Sequence, residues 1–598
     1  MFERRRPSGF GRRVGRRAVI RSTGVGVFGL AAASLIGCSS SNSTSSGGAP
    51  KAAGGSATAA PAASQAQLNP SAEMKPIFDR FASLVQHKAG PPREGGVMRV
   101  GSGYDLASFN PLTSAAAATL MHTNTAYNRL LKFDGPKWAP GAFPGTMTND
   151  LVSGWEQKDA TTFVFTLAPN IKWQPKAPLN SRPFVAADVV YALDQYKKSG
   201  PSTTYMRFVD SVQSPDAKTV VVKMKKPFPD QIPYFASRYL TIFPKELVED
   251  GSLGTRAIGT GAMMLSKAIK GERVTYERNP EYFRGKVPLQ GLDYIVMTEG
   301  ERRQSALRSG QVDLIQLYDG NLEEVAKLAK EMPELKGSHA FPVSGRVGLC
   351  FQLREKPWDD VRVRRAISQA SNLQLWGDLM HGKNLSYVGP NIPWSMVGDK
   401  PPTFAELGPW YQFNPKESAK LLSAAGAEGL AFNMNYYDSP TATDDAINLA
   451  VRDFTTLGLK PKVVKTDSIK FNEAWTVGKH TGISWGWKAT PVSADDIIWG
   501  YYHKDAPDTL NRWGIKDAEA TALVDKQATM TDVKDRREVW KQIWARDLDQ
   551  MWYVCTPDTI KFNLMSGKTQ GFQFDWQQTN MRDSYEIGTQ IESAWLSA

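Results

Sequence analysis

Residues 482–487 read Gly-Ile-Ser-Trp-Gly-Trp, and this short run admits two incompatible structures. Taken as G-x-S-x-G, it spells a nucleophile elbow, with Ser484 on a sharp turn between a strand and a helix. Taken by alternation, it is a strand with Ile483, Trp485 and Trp487 on one face and Gly482, Ser484 and Gly486 on the other. The flanks favour the strand. The alternation continues through Trp487 instead of turning at Ser484. Thr490-Pro491 follows, and the residue before a proline is biased away from helix. The one histidine downstream, His503, lies 19 residues from Ser484, with Asp495 and Asp496 between. That is cramped for a triad assembled from separate sheet loops. A strand is the main reading; an exported serine hydrolase using Ser484 is the alternative.

The chain has 598 residues, 41% hydrophobic and 22% charged, enough for a multi-lobed body with ordinary cores. No apolar run reaches the ~18 residues of a membrane-spanning helix. The net charge of +12 is concentrated at the start: residues 1–37 hold eight arginines against one glutamate, leaving +5 for everything else. A dispersed excess of that size does not indicate a nucleic-acid partner. The three cysteines, Cys38, Cys350 and Cys555, form no CxxC or Cys/His cluster, and the six histidines are ungrouped. No metal site and no cofactor are expected. Cys350 and Cys555 lie in strand-like runs, where they either pair in an exported protein or fill the core as free thiols. Two phosphate-loop lookalikes fail. Residues 377–384 end in Asn384 where Ser or Thr is needed, and Phe562 occupies the first glycine position before Ser566-Gly567-Lys568-Thr569.

The first 93 residues read as an address and a tether. Arg16-Arg17 open a stretch resembling the twin-arginine export motif, followed by a mildly apolar segment to Ile36. Leu35-Ile36-Gly37-Cys38 resembles the lipobox of bacterial lipoproteins, which implies cleavage of residues 1–37 and lipidation of Cys38. Residues 38–70 are Ser-, Ala-, Gly- and Pro-rich and read as a flexible linker with a reach of roughly 30 Å. Within 71–93, Met74, Ile77, Phe78, Phe81, Leu84 and Val85 recur at helical spacing and predict an amphipathic helix docked on the body.

From residue 94 onward short strands alternate with helices, as in an α/β protein. TFVFTL at 162–167 and TVVVKM at 219–224 alternate as strands, while 360–371, 416–425 and 446–457 read as helices. The ordered blocks GGVMRVGSGYDLASFNP, NDLVSGWEQKDATTFVFTLAPNIKW, RPFVAADVVYAL, GTGAMMLSKAIKGERVTYERNPEYFRGK, ALRSGQVDLI, PWDDVRVRRAISQASN and NPKESAKLLSAAG resemble the peptide/nickel family (family 5) of extracytoplasmic solute-binding proteins of ABC importers. The resemblance implies a two-lobed periplasmic-binding-protein-like fold (type II, large cluster) with mixed sheets and a hinge between the lobes. It implies lobe I at 94–318 with an inserted subdomain, lobe II at 319–556 and a return to lobe I at 557–598. The chain crossings fall near Tyr318 and Val554–Pro557. It also implies a monomeric lipoprotein at the cell surface or in the periplasm, anchored to the membrane, with ABC permease and ATPase subunits as partners and a peptide or other small molecule as ligand. A ligand sensor on the same fold, without import, is a further alternative.

Candidate ligand contacts follow from both readings. Trp485 and Trp487 share a strand face whose other side is nearly bare, and aromatic faces hold varied ligands with few rotors. The loop after them, KATPVSADDIIWGYY, contains Asp495 and Asp496. In peptide-binding relatives an aspartate near an Asp-Pro pair in this loop anchors the ligand's ammonium, and that pair is missing here. Asp495 pairing with a lysine is the other reading of the same residue. The rim segment SGYDLASFNP supplies Tyr104 and Asp105, and the end of the Cys350 strand supplies Phe351 and Gln352. Asp359, Arg362 and Arg364 belong to a helix start and its solvated face. Peptide, oligosaccharide, opine-like compound and metal chelate remain open as ligands.

Overall fold

The computed structural model describes residues 72, 74–81, 91–133, 147–317, 322–340, 347–383, 385–389, 391–398, 402–437, 444–488, 493–559, 561–572 and 590–597. The expected signal segment, the linker and Cys38 lie outside these residues.

Alternation builds the first sheet. Phe163, Phe165 and Leu167 of strand Thr162–Leu167 and Val220, Val222 and Met224 of strand Thr219–Met224 turn inward. These two strands pair antiparallel at the centre of a four-stranded sheet, flanked by Val152–Asp159 and Val209–Gln213. Helix Ala186–Lys198 lays Val189, Ala192, Leu193 and Tyr196 against the same apolar core. Its polarity is matched by Asp188 in the first turn and Lys197 and Lys198 in the last.

A seven-stranded mixed sheet extends this lobe. In spatial order its strands are Lys336–Ala340, Lys561–Met565, Leu314–Leu317, Val97–Ser102, Gly291–Val296, Arg273–Arg278 and Met263–Ile269. Val97–Ser102 runs parallel to both its neighbours. Arg99 locks that register by donating to Asp313 through Nε at 3.0 Å and Nη2 at 2.9 Å. Bidentate pairing of this kind adds geometric specificity as well as energy.

A second, separately cored sheet has five strands in the order Lys460–Thr466, Ala431–Tyr437, Ile483–Trp487, Val347–Phe351 and Tyr553–Cys555. Its helices start where the side chains dictate. Asp360 caps Val361–Ala370, Asn372 caps Leu373–His381 and Asn414 caps Pro415–Ala424, each accepting from a backbone N–H in the first turn.

The strand pairings correct one expected boundary. Lys336–Ala340 is hydrogen-bonded to Lys561–Met565 inside the seven-stranded sheet, while Val347–Phe351 belongs to the five-stranded one. The chain therefore leaves the first lobe after Ala340, not near Tyr318. The first lobe keeps helix Leu322–Glu331 because Leu322, Val325 and Leu328 pack on Ile315, Leu317, Phe562 and Leu564 of its sheet. The chain returns between Cys555 and Lys561.

The N-terminal helix Lys75–Arg80 joins that same cluster through Met74, Ile77 and Phe81. Phe81 meets Phe562 edge-on at 6.2 Å, and Arg80 donates to the carbonyls of Pro333 at 2.8 Å and Leu335 at 2.7 Å. Phe81→Ala is expected to weaken this docking by about 3 kcal/mol. Hydrogen exchange would read the change as faster amide exchange in Leu322–Glu331, with the second lobe unaffected.

Candidate functional site

The GISWGW segment is an interior strand. Ile483, Ser484, Trp485, Gly486 and Trp487 stand opposite Phe351, Cys350, Leu349, Gly348 and Val347. Ser484 is fully buried in mid-strand, and its hydroxyl has no hydrogen-bond partner among the described residues. His503 is engaged elsewhere: Nδ1 accepts from the Asp505 N–H at 3.1 Å, and the ring stacks on Trp499. The elbow geometry is absent.

Trp485 is 2% exposed and stacks on Trp376 at 6.0 Å, deep in the core of the second lobe. Trp376 is itself fixed by donation from its indole N–H to Asp453 Oδ2 at 2.7 Å. This placement replaces the expectation that Trp485 lines a cleft. The glycine face is not bare either. A Cβ on Gly486 would come 2.2 Å from the Trp475 ring, and one on Gly348 2.5 Å from that of Tyr553. The glycines make room for the protein's own aromatic rings, because this strand is covered on both faces. The Trp487 side chain lies outside the described residues.

Phe351 and Gln352 are also structural. Phe351 stacks on Trp358 at 5.5 Å, and the Gln352 amide donates to the carbonyls of Gly478 at 3.1 Å and His480 at 2.9 Å. They lie at the end of Val347–Phe351 remote from the chain crossings, which leave from the Val347 and Cys555 side. Asp105 accepts from the N–H of Leu106 and, at 2.8 Å, of Gly271, which ties the rim segment to the hairpin turn before Arg273–Arg278. Tyr104 is half-buried beside it and packs on the first-lobe core.

The edge from which the crossings leave carries a polar network that the sequence did not announce. Lys488 follows the strand directly and is buried, with Nζ donating to Asn391 Oδ1 and, at 3.8 Å, to Cys555 Sγ. The Asn391 amide donates in turn to Tyr502 at 2.7 Å and to Asp547 at 3.3 Å. Burial lowers the Lys488 ammonium and pushes the Asp547 carboxyl up to about 7. Cys350 and Cys555 are both free and buried, and burial raises both thiols.

Asp495 is where the two lobes meet. It is 1% exposed and ion-paired to Arg207, 288 residues away in sequence, and accepts from the Tyr234 hydroxyl at 3.1 Å. The Arg207 guanidinium lies over the rings of Trp499 at 4.3 Å and Phe208 at 4.6 Å. The expected partners for Asp495 are a ligand ammonium or a lysine; the structure supplies an arginine from the other lobe instead. Asp496 accepts from the Ser493 N–H at 3.3 Å and closes the first turn of helix Ala494–Tyr502. A second buried pair, Asp230 with Arg536, lies alongside, with Arg536 Nη2 also donating to Gln527 Oε1 at 2.8 Å. Desolvation raises the Asp230 carboxyl, and Asp495 adds to that rise. No local pattern flags Arg207, Asp230 or Arg536, since each reads as an ordinary surface charge until its partner arrives from the other lobe.

Two separately cored α/β lobes joined by paired crossings, with polar side chains buried where they meet, define a two-lobed binding protein. Residues 146–508 match the bacterial extracellular solute-binding proteins, family 5 Middle, and the chain belongs to that family. The dipeptide-binding protein of Escherichia coli K12 is 22% identical over 508 residues, which is 78% of this chain and 90% of that protein. The periplasmic binding protein DppA of Helicobacter pylori, solved with the peptide STSA, superposes with a TM-score of 0.71 at 18% identity, covering 85% of this chain and 99% of that one. AgaA from A. tumefacien R10, solved with agropinic acid, gives 0.71 at 19% identity over 84% and 99% of the two chains. Family members are extracytoplasmic binding proteins, and among the described residues no helix is long and apolar enough to cross a membrane.

Two outcomes test these placements. Trp485→Ala removes a core ring and is expected to cost about 3–5 kcal/mol, read as a lower urea midpoint. Asp547 holds a proton in the folded state that the unfolded chain releases above about pH 4. Its burial therefore erodes stability as pH rises from about 4 to about 7, and no further above that. Asp547→Asn should gain thermal stability relative to the parent across that window, measured as a difference in Tm that grows with pH and then levels.

Proposed function

We propose that this protein captures an organic solute between its two lobes, outside the cytoplasm, and delivers it unchanged to an ABC permease and its ATPase. The observation that carries the reading is the architecture. Two lobes, each with its own core, are connected by passages that leave neighbouring edges and meet across buried polar side chains. Such a body opens and closes about its crossings, and closure excludes water from the guest. Affinity then comes from enclosure, offset by the cost of ordering the hinge. The reading assigns no bond-making step.

The ligand is a short peptide or a solute of similar size, in keeping with the peptide and the agropinic acid held by the similar structures. Asp495 is occupied by Arg207, so it does not serve as an ammonium anchor while that pair holds. Trp487 and Tyr104 are the remaining sequence-derived candidates for ligand contact. The chain acts as a monomer tethered through lipid on Cys38.

Native mass spectrometry of the purified body is expected to show a bound small molecule that is lost on denaturation. Thermal-shift screening of di- to pentapeptides and sugar–amino acid conjugates should then give one class that raises Tm. No shift with any class and no co-purified mass would remove the reading. Cys38→Ala should move the full-length chain from the membrane fraction to the soluble exported fraction. Unchanged fractionation would remove the lipid anchor.

A further inference from the structure

The contact between the lobes is built from charges in a reciprocal arrangement. Arg207 and Asp230 come from the first lobe, next to Phe228 and Tyr234 of its core. Asp495 and Arg536 come from the second, in helices Ala494–Tyr502 and Val533–Gln550, whose apolar faces belong to the other core. One pair runs from cation to anion across the boundary and the other from anion to cation. Both are withdrawn from water: the side chains are 16% and 1% exposed in the Arg207–Asp495 pair, and 5% and 1% in the Arg536–Asp230 pair.

Two features bear on how this contact behaves. First, its hydrogen bonding is incomplete. Arg207 Nε, Asp495 Oδ1, Asp230 Oδ1, Gln231 Oε1 and Gln527 Nε2 are buried with no hydrogen-bond partner among the described residues. Such atoms penalise a permanent core but are hydrated when the surfaces part. Second, the alternating sign fixes the register, because displacing one lobe relative to the other brings like charges together. The Coulomb gain of a buried pair and the desolvation of its partners nearly cancel. The joint therefore specifies a position without locking the lobes shut.

We infer that Arg207–Asp495 and Asp230–Arg536 form a charge-swapped clasp that seats the lobes in their closed register without a guest. The clasp rests on the proposal that the lobes open and close. Within that proposal it gives Asp495 a role in positioning the lobes in place of a role in holding ligand. A guest then adds its contacts to a closed form that the protein already reaches by itself.

The test uses the ligand-free mature body and small-angle X-ray scattering, with circular dichroism and Tm as controls on folding. Asp495→Arg and Arg207→Asp, each alone, should shift the radius of gyration to a larger value. The double variant Arg207→Asp with Asp495→Arg should return it towards the parent. The pair Asp230→Arg with Arg536→Asp should behave in the same way. If a reversal fails to fold, Asp495→Asn and Arg207→Gln replace it, with a smaller shift in the same direction expected. Unchanged dimensions in the folded single variants, or a double variant no more compact than the singles, would overturn the clasp. If the clasp falls but a solute that raises Tm still compacts the body, the proposed function survives. If no solute changes either dimensions or Tm, that reading fails independently.

Discussion

Strand Lys561–Met565 holds the architecture together. It is hydrogen-bonded on one side to Leu314–Leu317 and on the other to Lys336–Ala340, so it returns the end of the chain to the lobe that the chain had left after Ala340. Its inward side chains Phe562 and Leu564 sit in the cluster that also receives the N-terminal helix. A single strand thus brings both crossings to one side of the molecule and makes the second lobe an excursion between them. The two lobes are tied at neighbouring edges, and the buried charges of the proposed clasp lie at their contact.

The two kinds of buried polar group in this molecule do different work. Within the second lobe, Lys488, Asn391, Tyr502 and Asp547 form a connected chain of hydrogen bonds that fastens the segment around Asn391 to helix Val533–Gln550. Burial drives both charged members towards their neutral forms. Between the lobes, the arginine–aspartate pairs leave several polar atoms unpartnered. Water can supply those missing partners wherever the two surfaces separate.

Much of the fold was legible in the chain. Period-two alternation located Thr162–Leu167 and Thr219–Met224 at their observed bounds, because each strand has one face on a core and the other near solvent. The helices read over 360–371 and 416–425 are observed at Val361–Ala370 and Pro415–Ala424, within one residue at each end, because helix periodicity and end signals are local. The same alternation misled at Trp485. It correctly made the segment a strand, but a strand buried on both faces looks the same in sequence as one that faces a cleft. Helix Leu373–His381, which supplies Trp376, decided between them. The boundary at Tyr318 was misplaced for a related reason: sheet membership is set by a partner strand more than 200 residues away.

Sequence by itself determined what is encoded over a few residues: the strands and helices, the preference for a strand over an elbow at Ser484, and the order of blocks that marks the family. Tertiary structure alone decided which side chains meet. Asp495 is an acidic residue in the first turn of a helix until Arg207 arrives from 288 positions upstream, and Asp230 is a loop carboxylate until Arg536 covers it. A charge states its sign locally, but its burial, its partner and therefore its role are properties of the surfaces that fold around it.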